Sequence, residues 1–198
     1  MCESCIRLMT DQPLSVRVSP RAGVDMHISF VTYDGLFKRL ITTAKYGNYQ
    51  QIFIDLSRGL ISADSVKEIC MHIKNTEHAV IVPVPMHKRK KYMRGYNQTE
   101  LIAKRLSYYS KIPVHMNLVK KIQETSPQAS LSRSQRQENV RGVFVLESVP
   151  QHLQTVILVD DVWTTGATIQ EIAHLFKAHS NCRIIAYTLA QKWYTSPT

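Results

Sequence analysis

Between Asp34 and Ile73 the apolar residues fall at helical intervals. Leu36, Phe37, Leu40, Ile41 and Ala44 predict one helix, with Asp34 available as its N-cap and Gly47 just past its end. Phe53, Leu56, Leu60 and Ile61 predict a second, and Val66, Ile69, Cys70 and Ile73 a third. A short strand is expected before them at residues 27–32. Residues 1–25 show no sustained periodicity, and Asp11, Pro13, Ser19, Pro20 and Gly23 mark them as irregular. From Ala79 the pattern becomes strand alternating with helix: strand 79–84, helix 98–109, strand 114–119, a long polar stretch to 141, strands 142–146 and 155–159, helix 167–178 and a last strand at 183–190.

Strands separated by helices predict an α/β domain with a mainly parallel sheet flanked by helices and right-handed crossovers. The expected organisation is one such domain over residues 26–198, preceded by a short segment at 1–25. At 198 residues and 44% hydrophobic the chain can bury a sizeable core. No run approaches the roughly 20 apolar residues that span a bilayer, and Met1 to Thr10 lacks the layout of a secretion signal. A cytoplasmic protein without membrane insertion is therefore expected. Four scattered cysteines do not suggest a disulfide framework, which fits a reducing compartment. The formal charge of +10 favours an anionic partner.

The most informative stretch is Val156-Ile157-Leu158-Val159-Asp160-Asp161-Val162-Trp163-Thr164-Thr165-Gly166-Ala167-Thr168. A buried strand ends in two acids, and a Thr/Gly-rich turn leads into an amphipathic helix. Open α/β sheets bind ligands at the carboxyl ends of their strands. Phosphate needs converging donors, which the N–H groups of a helix start supply together with the positive end of the helix dipole. Thr164, Thr165 and Thr168 add hydroxyls, and Gly166 permits positive φ and close backbone approach. Asp160 and Asp161 suit the two vicinal hydroxyls of a ribose as acceptors. An isolated Asp-Asp pair ordinarily does no more than cap the next helix, whereas the whole pattern reads a ribose and its phosphate together. Trp163 is open to ligand stacking or to packing.

Two further segments stand out. Val82-Pro83-Val84-Pro85-Met86-His87 runs into the basic cluster Lys88, Arg89, Lys90 and Lys91, then Tyr92-Met93-Arg94-Gly95-Tyr96-Asn97-Gln98. Such a cluster is commonly a solvated face, but this one starts at a strand's carboxyl end, where a diphosphate can lie between it and the acids. The third, Lys120-Lys121-Ile122-Gln123-Glu124-Thr125-Ser126-Pro127-Gln128, continues to Leu131, Arg133, Arg136, Asn139, Val140, Gly142 and Phe144. Long ordered loops in compact domains are often lids, and a lid that excludes water protects a reactive sugar carbon from hydrolysis.

Together with Tyr33 and Lys45-Tyr46, these segments resemble the ComF family, competence-associated proteins similar to type I phosphoribosyltransferases, over roughly residues 30–189. The resemblance implies phosphoribosyl diphosphate bound with Mg²⁺. Asp160 and Asp161 would hold the ribose hydroxyls, residues 164–168 including Ala167 the 5-phosphate, and Pro85, Met86 and His87 the diphosphate. Arg94, Asn97 and Gln98 fall in one family motif, and Lys121, Thr125, Gln128, Arg136 and Asn139 in another, all expected around the substrate. It also implies a role with the DNA-uptake machinery in natural transformation. The expected chemistry is phosphoribosyl transfer, in which a nucleophile attacks the anomeric carbon as diphosphate leaves. No base-specific pattern identifies the acceptor.

A nonenzymatic alternative is a binding protein that senses a phosphorylated ribose or engages single-stranded DNA, with Lys88, Arg89, Lys90 and Lys91 on phosphates and Tyr92 and Tyr96 stacked on bases. Many ComF proteins carry paired Cys-x-x-Cys motifs for zinc. Here Cys2 and Cys5 supply one pair, His27 is the nearby candidate for a third ligand, and a structural site wants four. Such a partial site would need completion by another chain or a longer N-terminus, or else has decayed. Cys70 and Cys182 read as buried thiols.

Overall fold

Apolar runs alternating with amphipathic stretches bury themselves by laying helices on both faces of a sheet, and the computed structural model of the chain has this layout. It describes residues 15–17, 23–73, 76–125, 133–147, 149–150 and 152–192. The strands are β1 (Ser15–Arg17), β2 (Met26–Thr32), β3 (Ala79–Pro83), β4 (Val119–Lys121), β5 (Phe144–Leu146), β6 (Thr155–Trp163) and β7 (Arg183–Gln191). The helices are α1 (Gly35–Tyr46), α2 (Gln50–Leu60), α3 (Ala63–Met71), α4 (Lys88–Arg94), α5 (Gln98–Ser110), α6 (Arg133–Glu138) and α7 (Ala167–His179). The main sheet has the order β1-β2-β7-β6-β3, with β1 antiparallel to β2 and the other pairs parallel.

Alternation along the strands divides the core in two. Ile157, Val159, Ile81, Ile185 and Tyr187 pack with Phe37 and Ile41 of α1, Phe53 and Leu56 of α2, Ile69 of α3, and Ile102 and Leu106 of α5. Val156, Leu158, Val80, Val82, Ile184 and Ala186 pack on the other face with Ile169, Ile172, Ala173 and Phe176 of α7 and with Val119 and Phe144. A buried apolar side chain contributes about 1.5–3 kcal/mol, so any register slip that exchanged these faces is strongly disfavoured.

Several sequence expectations are corrected. The strand at 114–119 is reduced to a parallel bridge between Val114 and Ile81, and pairing resumes only at β4. The strand expected at 142–146 is the shorter β5, which pairs antiparallel with β4 in a separate ribbon rather than joining the main sheet. Period alone says that a segment is a strand; it does not name the partner. The basic cluster is helix α4, ended by Gly95 at φ 79° with its N–H on the Lys91 carbonyl at 2.8 Å. The long polar stretch contains α6, and the irregular N-terminal part contains β1. Asp34 occupies the N-cap of α1 without a side-chain capping bond.

The topology opens a crevice between β3 and β6. After β3 the chain passes through α5 on one face to Val114, on the side of β3 away from β6. After β6 it passes through α7 on the other face to β7, in the opposite direction. Connections that diverge from neighbouring strands leave a cleft at their carboxyl ends, the ligand position of open α/β sheets. The register Pro83 opposite Val159 sets residues 84–87 beside Asp160 and Asp161.

Candidate functional site

β6 runs on through Trp163, so the two acids lie within the strand and the turn proper is Thr164–Gly166. Gly166 takes φ 77° as the N-cap of α7, and a Cβ there would strike the indole of Trp163. Only glycine combines that φ with that contact at little cost. Trp163 in turn stacks on His27 with ring centroids 4.3 Å apart, and His27 Nε2 lies 2.9 Å from Thr188 Oγ1. The indole thus packs under the turn, and part of it also borders the space in front of α7. Gly166, the N-cap of α7, has no side chain to cap the helix and the first turn holds no acid, which leaves its positive end facing an open hollow. Asp160, Thr164, Gly166, Ala167 and Thr168 line that hollow, and Thr165 Oγ1 accepts from Ala167 N–H at 3.4 Å.

The adjacent acids have different surroundings. Asp160 is half-buried on the hollow, and its Oδ1 accepts from Asp161 N–H at 2.8 Å. Asp161 is 3% exposed and forms an ion pair with Lys45 Nζ at 2.5 Å. Burial pushes the Asp160 carboxyl well above the usual carboxylate range, the charge of Asp161 adds to this, and Lys45 opposes it. For Asp161 burial acts in the same direction, but the charge and hydrogen bond of Lys45 outweigh it and hold this carboxyl below the usual range. Burial works against the charge of Lys45, and Asp161, Asp160 and Tyr33 together still raise its pKa. The site thus resists two negative charges at once unless a cation stands beside them.

The other two segments surround the acids. Asn97 caps α5, its Oδ1 accepting from Thr99 N–H at 3.3 Å, while its Nδ2 donates to the Val84 carbonyl at 3.2 Å and Thr99 Oγ1 donates there at 2.8 Å. These bonds fix the start of the Pro85, Met86 and His87 loop. Arg94, 8% exposed, donates to Gln98 Oε1 at 2.8 Å and lies near enough to lower Asp161 further. The Arg94-to-Gln98 motif therefore braces the loop, with Asn97 and Gln98 committed to internal bonds. Tyr96 is buried, its hydroxyl donating to the Ala44 carbonyl at 2.9 Å, so it does not stack on a base. Tyr92 is 91% exposed.

Lys121 of β4 donates to Thr125 Oγ1 at 2.6 Å, and burial with Lys90 second pushes its pKa down to about 8. Desolvation, Arg94 and Lys45 likewise depress Lys90. Cations that shift one another in this way share one volume, which an anion would stabilise. Lys91 pairs with Glu100 at 2.6 Å, and Arg89 with Glu124 at 3.6 Å. Gln128, Cys2, Cys5 and the Arg136 side chain lie outside the described residues. Among the described residues no group of three or more His, Cys, Asp or Glu gathers as a metal site, and no helix is long and apolar enough to cross a membrane. Cys182 is buried and Cys70 half-buried.

Lys45 is the site residue whose role sequence reasoning did not assign. It stands one turn beyond Ile41, at the end of an ordinary amphipathic helix, where a lysine normally faces solvent.

A crevice at the divergence of two parallel strands, an acid pair and a helix start with no side chain on its N-cap thus meet at one edge of the sheet. The phosphoribosyl transferase domain model matches residues 62–194, more than half of the chain, which belongs to that family and within it to the ComF proteins. Competence protein F of Haemophilus influenzae is 38% identical over 99 residues, 49% of this chain and 43% of that protein. DNA utilization protein YhgH of Salmonella typhi is 29% identical over 167 residues, 83% of this chain and 71% of that one. Competence protein ComFC of Bacillus subtilis is 25% identical over 163 residues, 81% and 62% of the two chains. The match to the Haemophilus protein therefore spans less than half of that protein's length.

Proposed function

We propose that the chain binds phosphoribosyl diphosphate and serves DNA uptake or use, as the names of its relatives suggest for them. The observation that carries this reading is the uncapped start of α7, which opens beside Asp160 on one hollow. The 5-phosphate meets the N–H groups and hydroxyls of residues 164–168, and the ribose hydroxyls donate to the acid pair, Asp160 foremost. The diphosphate lies toward Lys90, Lys121 and the loop at Pro85, Met86 and His87. With Asp161 committed to Lys45, Mg²⁺ would be carried in by the diphosphate and would supply charge neutralisation for that leaving group beside Lys90 and Lys121. If a nucleophile then attacks the anomeric carbon, the lysines stabilise the departing diphosphate and the acids the positive charge growing on the ribose.

A second reading, single-stranded DNA on α4, is favoured by Tyr92 at 91% and Met93 at 69% exposure among cations. Asn48 Nδ2 donates to the Met93 carbonyl at 3.3 Å and brings the exposed Tyr46 and Tyr49 to the same surface. Calorimetry separates the two. Phosphoribosyl diphosphate with Mg²⁺ is expected to bind about tenfold or more tightly than ribose 5-phosphate, through the added lysine contacts. Equal affinities would remove the diphosphate from the assignment. Replacing Lys88, Arg89 and Lys91 by Ser is expected to leave sugar-phosphate binding intact while flattening the salt dependence of oligonucleotide binding. Diphosphate release with amine and nucleobase acceptors then distinguishes transfer from sensing.

A further inference from the structure

The charge that makes the acid pair usable comes from α1, a helix that precedes the span matched by the phosphoribosyl transferase domain. Lys45 sits in its last turn and reaches Asp161 at 2.5 Å, with the Asp161 side chain 5% and the Lys45 side chain 28% exposed. The adjoining residue, Ala44, is held by the Tyr96 hydroxyl at 2.9 Å, and Tyr96 packs edge-on to Phe53 of α2. Asn48 binds the Met93 carbonyl just past the helix end. Three contacts thus dock the end of α1 over the carboxyl edge of the sheet, and two of them come from the segment at residues 93–96. Besides positioning α1, that segment acts on the acids through the charge of Arg94.

We propose that Lys45 is a positioning residue of the sugar site, fixing Asp161 behind Asp160 and offsetting its charge so that Asp160 can accept the ribose hydroxyls, with Tyr96 as the latch that keeps Lys45 in place. The inference rests on the sugar-phosphate reading. Its physical chain is short. Asp161 N–H donates to Asp160 Oδ1, so the orientation of one acid sets the other. Without Lys45 the two carboxylates face each other's charge unrelieved, and a proton settles on Asp160, where burial and Asp161 already favour it. A protonated Asp160 loses acceptor capacity toward the diol. Lys45 therefore governs how well the site tells a ribose from a sugar lacking one hydroxyl. The phosphate contacts at α7 do not depend on it.

The test compares ribose 5-phosphate with 2-deoxyribose 5-phosphate in the full chain and in Lys45→Met, Lys45→Arg and Tyr96→Phe. The full chain is expected to prefer the ribose by about tenfold, the worth of a charge-assisted hydrogen bond. Lys45→Met is expected to bring that preference close to unity, Lys45→Arg to restore most of it, and Tyr96→Phe to reduce it partway. A general loss of folding lowers both affinities and leaves their ratio alone, so the ratio isolates the positioning role. If Lys45→Met does not fold, Tyr96→Phe carries the comparison. An unchanged ratio in Lys45→Met, or in Tyr96→Phe when Lys45→Met fails to fold, overturns the inference while the sugar-phosphate reading stands. If the unaltered chain binds neither sugar, that reading fails and the inference falls with it. Where sugar binds, carboxyl ¹³C titration gives a second readout of the inference. A rise of the Asp160 midpoint in Lys45→Met, reversed in Lys45→Arg, supports it, and an unmoved midpoint overturns it.

Discussion

Asp160→Asn is expected to stabilise the protein at neutral pH, and Asp161→Asn to destabilise it, although the two residues are adjacent and chemically identical. Asp160 has a folded pKa above its unfolded value, so the folded chain loses stability as pH rises from about 4, where the unfolded carboxyl ionises, through the folded pKa. Asparagine removes that loss and keeps an oxygen for the Asp161 N–H, so a net gain in stability is expected. Asp161 has a depressed folded pKa, so its contribution is present above the unfolded value and disappears as pH falls through the folded one. Asparagine there strands Lys45. Breaking a buried pair typically costs about 3–5 kcal/mol, and because Lys45 retains some contact with water we expect about 2–3 kcal/mol. Denaturant titrations at pH 7 and pH 3.5 read both signs, and the Asp160→Asn gain should vanish at the lower pH. Equal losses in both variants would contradict the electrostatic description of the pair.

The second large effect concerns the ligand. Asp160→Asn/Asp161→Asn is expected to lose about a hundredfold or more in affinity for phosphoribosyl diphosphate with Mg²⁺. Carboxylate acceptors for two hydroxyls are replaced by neutral amides, and each charged hydrogen bond is worth about 1.5–3 kcal/mol. Lys45, released from Asp161, adds a cation that attracts the phosphates and limits the loss to the diol. Affinity for inorganic phosphate should therefore hold or rise in the same variant. A double variant that binds the sugar phosphate unchanged leaves the acids without the assigned role.

What the sequence made legible is what short range determines. The turn from β6 into α7 was readable because strand, acids, threonines, Gly166 and helix follow one another within thirteen residues, and local backbone geometry places them together. The strands β3 and β6 were likewise implied by apolar runs. Lys45 was not readable in this way. It meets Asp161 across more than a hundred residues only because α1 ends at the carboxyl edge of the sheet, and no periodicity in residues 34–46 encodes that docking. Tyr96 looked like an aromatic among cations, and its burial depends on Ala44, again from α1. The cluster at residues 88–91 has charge but no apolar stripe, so α4 left no helical signature; Gly95 at its end was the local clue. For the β4–β5 ribbon, the pattern fixed the extended conformation and left the choice of partner to tertiary packing.

The most direct test follows backbone amide resonances while ribose 5-phosphate is titrated into the full chain. The start of α7 as phosphate site and the acid pair as diol site predict the largest shifts at Thr165, Gly166, Ala167 and Thr168, with Asp160 and Asp161 moving at the same midpoint. Saturating shifts confined to residues 88–94, with the α7 turn unmoved, would contradict the account.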